Sequence, residues 1–280
     1  MSVLEDELGD IIAKARTGRG MSLAALASGV GVSEGDIQAI EAYRLMPEAA
    51  TVRALAAALE LNPDKLVGIA ARDWVPDVPL PNNDLIIVER VSVSFGGYEE
   101  NSYVLGFRRT RLAAVIDPGG AASEISNIIV GNGFDLDAIL VTHAHADHIG
   151  GIWGLAQRWP RARLVSHESD RGSVTGMAPN IWEPAADGAS LRIGDQAITP
   201  MSTPGHTAGS VCYCANGCCF VGDTLFAGSL GRASSPEAYA RMLSVVRSKI
   251  LSMPDDTVLL PGHGPATTVM QERLHNPFLG

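Results

Sequence analysis

The sequence predicts a small all-α domain followed by a larger, layered α/β domain. Three observations support this division. Apolar residues recur every three or four positions up to residue 71, three prolines interrupt that pattern over residues 72–84, and strand-like and helical segments alternate afterwards. We therefore predict a helical domain over residues 1–71, a proline-rich extended linker over 72–84 and an α/β domain over 85–280.

Four or five short helices are predicted in the first domain. Ser22 and Ser33 each precede an apolar-periodic segment and suit the N-cap position, because a serine hydroxyl can accept a hydrogen bond from a free backbone N–H group. The periodic segments are "ELGDIIAKA", "SLAALASGV", "DIQAIEAY" and "TVRALAAALEL".

The second domain shows an alternation of strand and helix patterns. Strands are predicted in "LIIVERVSVSF", "NSYVLGF", "RLAAVIDPGG", "DAILVT" and "RLVSH", and helices in "EISNIIVGNG" and "IGGIWGLAQRW". This alternation is typical of a layered α/β fold.

All four cysteines lie in the stretch "CYCANGCC" at residues 212–219. Its Asn216-Gly217 pair predicts a two-residue hairpin turn that places Cys214 opposite Cys219. The spacing matches no common zinc motif, so we expect small, reduced strand residues rather than a disulfide or a zinc knot.

The composition favours a globular protein. A net charge of −10 and a pI near 5.1 disfavour binding to phosphate backbones and anionic lipid. The N-terminal "MSVLEDELGD" lacks the pattern of a signal peptide, and no segment is apolar over the length of a membrane span. We therefore expect a cytoplasmic protein without a membrane contact.

The stretch "VTHAHADHIGG" concentrates potential metal ligands just after a short apolar strand. His143 and His145 alternate and can point to one side, while Asp147 and His148 enter a helix predicted to begin near Ile149. Residues at the carboxyl end of a strand project into the crevice where α/β folds bind ligands. Clustered imidazoles and a carboxylate suit divalent zinc, iron and related cations.

Three more ligand candidates follow apolar or turn-forming runs further along the chain. They are His206 in "STPGHTAGS", Asp223 in "CFVGDTLF" and His263 in "LLPGHGPA", each preceded by a glycine at a predicted tight turn. The two remaining histidines, His167 and His275, have no motif around them and are expected to be structural.

Residues 8–67 resemble the phage-repressor type of helix-turn-helix domain, on "SLAALASGVGVSEGDIQAIEAY" followed by "TVRALAAALELNPDKL". That family lays its third helix into a DNA major groove. Here Glu34, Gly35 and Asp36 begin the third helix, and Leu23 stands where the family often has a phosphate-binding Gln.

The charge of the first 70 residues also departs from that of a DNA-binding domain. They hold six Lys and Arg against ten Asp and Glu, a net charge of −4. Since DNA affinity comes mostly from cationic side chains, the sequence favours a bundle used for dimerisation, protein contact or covering the active site over a DNA reader.

Residues 85–280 resemble a metallo-β-lactamase-fold protein of the glyoxalase II-like hydrolase branch. The resemblance is carried by "VIDPGG", "THAHADHIGG", "TPGHTAGS", "FVGDTLFAGSLGR" and "LPGHGPATT". It implies an αββα sandwich with two divalent metals, Zn before Fe or Mn, at one edge. It also implies that Asp223 bridges the two metals, with His143, His145 and His206 on one and Asp147, His148 and His263 on the other.

The function implied is hydrolysis of a small-molecule substrate, a thioester or related ester, by a metal-bridging hydroxide, which Asp147 orients. Arg232 is a candidate for contact with an anionic substrate group, or for a structural salt bridge. Because only 17 residues follow His263, the glutathione-holding C-terminal region of glyoxalase II is not expected.

Four alternatives stay open. A mononuclear-iron persulfide dioxygenase would share most of the motifs but not the histidine of "PGHGP", and a lactonase would share nearly every ligand. A DNA-binding regulator would use the metal domain as a sensor. A nuclease ranks last, because 21 acidic residues face 15 basic ones after the helical domain.

Overall fold

The computed structural model describes residues 3–177 and 181–280 of the chain. Five short helices occupy its N-terminal part. The hydroxyl of Ser22 accepts a hydrogen bond from the backbone N–H of Ala25, and that of Ser33 from the N–H of Asp36, so both predicted N-caps are confirmed. The helices, together called the helical bundle, are α1 (Leu8–Gly18), α2 (Leu23–Val30), α3 (Glu34–Glu41), α4 (Ala49–Ala58) and α5 (Pro63–Ala71).

The first sheet has six strands in the order in which they occur in the chain. Its first three strands are antiparallel, and the rest continue in parallel with the third. The strands are β1 (Ile86–Phe95), β2 (Tyr98–Phe107), β3 (Leu112–Ile116), β4 (Asp135–Leu140), β5 (Arg163–Ser166) and β6 (Trp182–Pro184). The accompanying helices are α6 (Ala122–Gly131), α7 (Ala146–Ile149), α8 (Ile152–Arg158), a 3₁₀ turn (Glu168–Asp170) and α9 (Arg171–Val174).

The second sheet also has six strands, in the order β14-β13-β10-β9-β8-β7. In chain order the elements are β7 (Leu191–Ile193), β8 (Gln196–Ser202), β9 (Val211–Ala215), β10 (Cys218–Gly222), the separate pair β11 (Leu225–Phe226) and β12 (Ser229–Leu230), α10 (Pro236–Val245), a π-helical turn (Val246–Ile250), β13 (Val258–Pro261), β14 (Thr267–Thr268) and α11 (Val269–His275). The predicted hairpin joins β9 to β10, Cys214 pairs with Cys219, and all four thiols are free.

The two sheets pack face to face between outer layers of helices. Tyr103 and Phe107 of the first sheet meet Tyr213 and Phe220 of the second in the central core. A separate core joins the outer face of the first sheet to α6 and α8. The predicted αββα sandwich preceded by a small all-α part is therefore confirmed.

The helical bundle packs on the outer face of the second sheet. Ile12 and Leu55 of the bundle belong to the same hydrophobic core as Val221 of the sheet and Met242 of α10. Burial of these apolar side chains holds the two parts together. The bundle thus forms part of the outer helical layer.

The proline-containing segment after α5 forms no helix or strand and is packed against the fold. Trp74 stacks on His275 with ring centroids 4.4 Å apart and donates a hydrogen bond to Gln271. His167 caps the 3₁₀ turn by accepting a hydrogen bond from the N–H of Ser169. Both leftover histidines thus have structural contacts. No helix among the described residues is long and apolar enough to cross a membrane.

Candidate metal centre

The first group of predicted ligands lies just beyond the carboxyl end of β4. His143 and His145 occupy the loop, and Asp147 and His148 lie within the short helix α7. The prediction that the helix begins near Ile149 is therefore wrong by one turn. The helix begins at Ala146 and is interrupted before α8, so Asp147 and His148 have helical backbone geometry.

The second group lies at the same edge of the sandwich. Asp223 follows β10 and His263 follows β13, and these strands are parallel, so their carboxyl ends coincide. β8 is antiparallel to β9, which is antiparallel to β10, so β8 also ends at this edge and delivers His206. Strand direction therefore brings distant parts of the chain to one site.

Four predicted ligands form the first cluster, with donor atoms all within 4.8 Å of one another. The Nδ1 atom of His145 lies 2.9 Å from Nε2 of His143 and 3.0 Å from Nε2 of His206. Oδ2 of Asp223 lies 3.5 Å from Nε2 of His206 and 3.9 Å from that of His143.

Asp147, His148 and His263 form the second cluster. Oδ2 of Asp147 lies 3.9 Å from Nε2 of His148 and 3.6 Å from Nε2 of His263. Oδ1 of Asp223 is 3.4 Å from Nε2 of His148, and its Oδ2 is 3.7 Å from Nε2 of His263. The Asp223 carboxylate thus lies between the two clusters.

Hydrogen bonds from the outer ring nitrogens to protein oxygens directly orient three of the histidines. Nδ1 of His148 donates to the Asp117 carboxylate at 3.0 Å, and Nδ1 of His263 donates to the carbonyl of Glu99 at 2.7 Å. Nδ1 of His206 donates to the carbonyl of Arg232 at 2.8 Å. Such bonds place the ring proton on Nδ1 and leave a lone pair on Nε2.

His143 is oriented through a longer chain of hydrogen bonds. The hydroxyl of Thr142 donates to Asp117 at 2.6 Å and is therefore free to accept from Nδ1 of His143 at 3.1 Å. Asp117 also accepts from the backbone N–H of Thr142 at 2.7 Å. One buried carboxylate thus orients imidazoles in both clusters.

The arrangement fits divalent cations. Imidazole lone pairs and carboxylate oxygens converge on one volume, which is repulsive unless positive charge lies between them. Nε2 of His148 and Oδ1 of Asp223 are buried and have no hydrogen-bond partner among the described residues. Nitrogen and carboxylate donors in this number suit zinc, iron or manganese.

The pKa shifts reflect the close packing of imidazoles and carboxylates at the site. The His263 imidazole, 3.6 Å away, lowers the pKa of Asp147 to about 2. Burial disfavours the charged form of His263, but the neighbouring carboxylates of Asp147 and Asp223 raise its pKa to about 9. Burial and the neighbouring histidines hold the pKa of His143 well below its usual value.

Two of the predicted glycines have different physical roles. Gly222 has a φ of +49°, and a Cβ there would lie 2.3 Å from the Thr142 hydroxyl. Gly262 is not one of the described glycines with a positive φ, but a Cβ there would lie 2.5 Å from Oδ1 of Asp223. Close approach, rather than a tight turn, therefore requires glycine before His263.

Arg232 takes part through its backbone. Its side chain is exposed and forms no ion pair with any residue that the structure describes, so the alternative of a structural salt bridge is wrong. Its carbonyl instead accepts from His206. A contact between the guanidinium and a substrate anion stays a prediction.

Sequence reasoning missed the role of Asp117. The residue lies in the "VIDPGG" motif, directly after β3, which is parallel to β4. Parallel neighbours end at the same edge, so its position next to the His143 loop was the available signal. Glu100, which is fully buried behind His148, was also missed, and burial together with the charge of Asp117 raises its pKa to about 10.

The fold and the donor clusters together define a metallo-β-lactamase-fold protein. Residues 95–263 match the family model of the metallo-beta-lactamase superfamily, and residues 12–66 match a helix-turn-helix model. The chain belongs to the metallo-beta-lactamase superfamily, and both resemblances drawn from the sequence are confirmed.

Individual relatives are 28–31% identical to this chain over the aligned residues. A hydroxyacylglutathione hydrolase of Haemophilus influenzae is 31% identical over 185 residues, 60% of this chain and 87% of that protein. The crystal structure of the B3 metallo-beta-lactamase BLEG-1 is 30% identical with a TM-score of 0.58, over 68% of this chain and 99% of that one. TTHA1623, solved in a di-iron-bound form, is 28% identical with a TM-score of 0.55, over 68% of this chain and 100% of that one.

Proposed function

We propose that this protein is a two-metal hydrolase of thioesters or related esters. The observation that carries the proposal is the position of Asp223 between two donor clusters, with one carboxylate oxygen facing each of His148 and His206. His143, His145, His206 and Asp223 would hold one metal ion, and Asp147, His148, His263 and Asp223 the other. The hydroxyacylglutathione hydrolase relative supports the thioester class.

Bound divalent ions would supply Lewis acidity and lower the pKa of water toward neutrality. The residues of the chain supply the geometry. Asp147 is partly exposed, and its lowered pKa keeps it ionised. Its carboxylate can therefore accept a hydrogen bond from the attacking water and orient that water. A thiolate leaving group has a pKa of about 8.5 and needs no general acid.

His263 separates this proposal from the mononuclear-iron alternative. Its Nε2 faces Asp147 and Asp223, as a ligand of a second metal would. A one-metal oxygenase does not need this donor. The di-iron form of TTHA1623 supports two ions at such a site, with iron as well as zinc as a candidate.

Elemental analysis combined with a substrate panel tests the proposed function. We expect about two metal ions per chain and hydrolysis of thioesters at a kcat/KM at least about tenfold above that for matched lactones. Faster lactone turnover would favour the lactonase alternative. Oxygen consumption with a persulfide, together with one iron per chain, would contradict the two-metal assignment.

We also propose that the helical bundle serves dimerisation, protein contact or covering of the active site rather than DNA binding. Arg16 is bonded to Glu41, Arg19 to Glu60 and Arg53 to Asp64 within the bundle. The two lysines reach the catalytic part instead, since Lys14 donates to the carbonyl of Leu230 and Lys65 to that of Leu279. Five of the six cations are thus already engaged.

The start of α3 is equally unsuited to a phosphate backbone. Asp36 accepts hydrogen bonds from the backbone N–H and hydroxyl of Ser33, which lower its pKa and keep it ionised. A carboxylate held in a capping box repels phosphate oxygens. A homodimer through the bundle stays a prediction, for which the exposed Tyr43, Leu45 and Met46 offer apolar surface.

DNA binding is therefore expected to be weak. At about 0.15 M salt, we expect a Kd no tighter than about 1 µM for duplex DNA, without sequence preference. Fluorescence anisotropy over a salt series measures both the affinity and the number of neutralised phosphates. Nanomolar, sequence-selective binding with a steep salt dependence would contradict the proposal that the bundle does not serve DNA binding.

A further inference from the structure

A cleft of about 490 Å³ lies beside the second donor cluster. The segment before α1 forms one wall, the β1–β2 hairpin forms the floor, and Gly264 and Pro265 close the end next to His263. The charged residues that line it are Glu5, Arg90 and Glu99. The cleft therefore combines residues from both predicted domains.

The floor of the cleft is tied to the metal centre. Ser92 pairs with Asn101 across the hairpin, and alternation along β2 places Glu99 on the same face as Asn101. Asn101 donates to the carbonyl of Gly264 at 2.8 Å, and the Glu99 carbonyl accepts from His263. The cleft thus borders the backbone segments that hold His263 of the second cluster.

The wall that carries Glu5 is held in place by buried contacts. Asp6 forms a buried ion pair with Lys14, which also donates to the carbonyl of Leu230 at 2.9 Å. Glu5 itself packs so closely on Gly264 that a Cβ at that position would lie 3.0 Å from the Cβ of Glu5. The bundle therefore positions Glu5 beside the residue that follows His263.

The charge of the cleft is negative. The cleft is lined by two carboxylates, Glu5 and Glu99, and by one guanidinium, Arg90. None of the three forms an ion pair with a described residue. Burial raises the pKa of Glu5, and a cationic group beside it would stabilise the ionised form. A positive group would be attracted to this position, whereas a carboxylate would be repelled.

We propose that this cleft binds the part of the substrate that is not hydrolysed, and that Glu5 and Glu99 select substrates carrying an ammonium group there. The proposal rests on the proposed hydrolase function. It assigns to the helical bundle a role in substrate specificity, through the segment that Lys14 anchors.

Three thioesters that differ mainly in charge test the selection. Acetylthiocholine carries a quaternary ammonium, S-(3,3-dimethylbutyl) thioacetate is its neutral counterpart of the same shape, and S-acetyl-3-mercaptopropionate is anionic. For Glu5→Gln, we expect the kcat/KM ratio of the cationic to the neutral thioester to fall about fivefold relative to the unaltered protein, mainly through KM. The ratio of the anionic to the neutral thioester should rise.

A matched control removes an exposed carboxylate of the bundle far from the cleft. Glu48→Gln should leave both ratios unchanged, because Glu48 precedes α4 and does not line the cleft. Ratios that are the same in Glu5→Gln as in the unaltered protein would overturn the proposal. Equal changes for all three thioesters would also overturn it, since they would show a charge-independent effect.

A binding measurement separates this proposal from the hydrolase function. Calorimetric titration uses the thioether analogue of acetylthiocholine, which cannot be hydrolysed. If none of the thioesters is turned over but the analogue binds about fivefold more weakly to Glu5→Gln, the proposed function fails and the cleft assignment stands. Equal binding of the analogue to both proteins would overturn the cleft assignment, whatever the turnover.

Discussion

The Asp223→Ala variant is expected to lose bound metal and turnover together, with turnover falling more than about a hundredfold. The Asp223 carboxylate faces His148 with one oxygen and His206 with the other, so its removal takes a donor from both clusters. A change to an outer contact already costs a metal site about 10- to 100-fold, and a shared donor should cost more. Elemental analysis after dialysis and steady-state thioester kinetics measure the two effects.

Asp256→Ala is the matched control for this experiment. Asp256 is exposed in the turn before β13, at the end of that strand opposite to His263. Its replacement should leave the metal-to-protein ratio and kcat unchanged. An unchanged metal-to-protein ratio in Asp223→Ala would show that the assignment of Asp223 as a bridge is wrong.

The Asp117→Asn variant should lower metal affinity by about 10- to 100-fold, although no direct ligand is changed. Asp117 accepts from Nδ1 of His148 and from both the hydroxyl and the backbone N–H of Thr142. An amide presents its NH₂ group to one of these donors, so one bond is replaced by a donor–donor contact. Competition with a chelator of known affinity measures the loss.

Asp135→Asn tests whether the effect is specific to the buried carboxylate. Asp135 is exposed at the start of β4, and its replacement makes the same chemical change at the opposite end of that strand. Metal affinity should be unaffected. If Asp117→Asn retained full affinity as well, the hydrogen bonds of Asp117 would not orient the ligands.

The local ligand motif was predictable because its chemistry is written within a few residues. His143, His145, Asp147 and His148 stand together after an apolar run, and the edge of the sandwich where they lie follows from the end of β4. Asp117 could not be recognised in the same way. A single aspartate after a strand has many structural uses, and only the three-dimensional structure shows that Thr142 and His148 are its hydrogen-bond partners.

Two further features depend on contacts between distant segments. The sequence predicted one helix from about Ile149, whereas the chain forms α7 first and then breaks before α8. At the break Gly150 packs so closely that a Cβ there would lie 2.1 Å from the carbonyl of Gly119. The functional atom of Arg232 was missed because sequence patterns indicate side chains, whereas the contact with His206 uses the carbonyl. Neither is visible to periodicity or motif spacing.

The single hydrophobic core that joins the helical bundle to the second sheet restricts what the bundle can do. Its Ile12 and Leu55 cannot leave Val221 and Met242 without exposing apolar surface to water. Swinging outward on a hinge is thereby disfavoured, and the two parts should melt in one cooperative transition rather than in succession. The helix-turn-helix part is thereby held as a fixed layer against the second sheet.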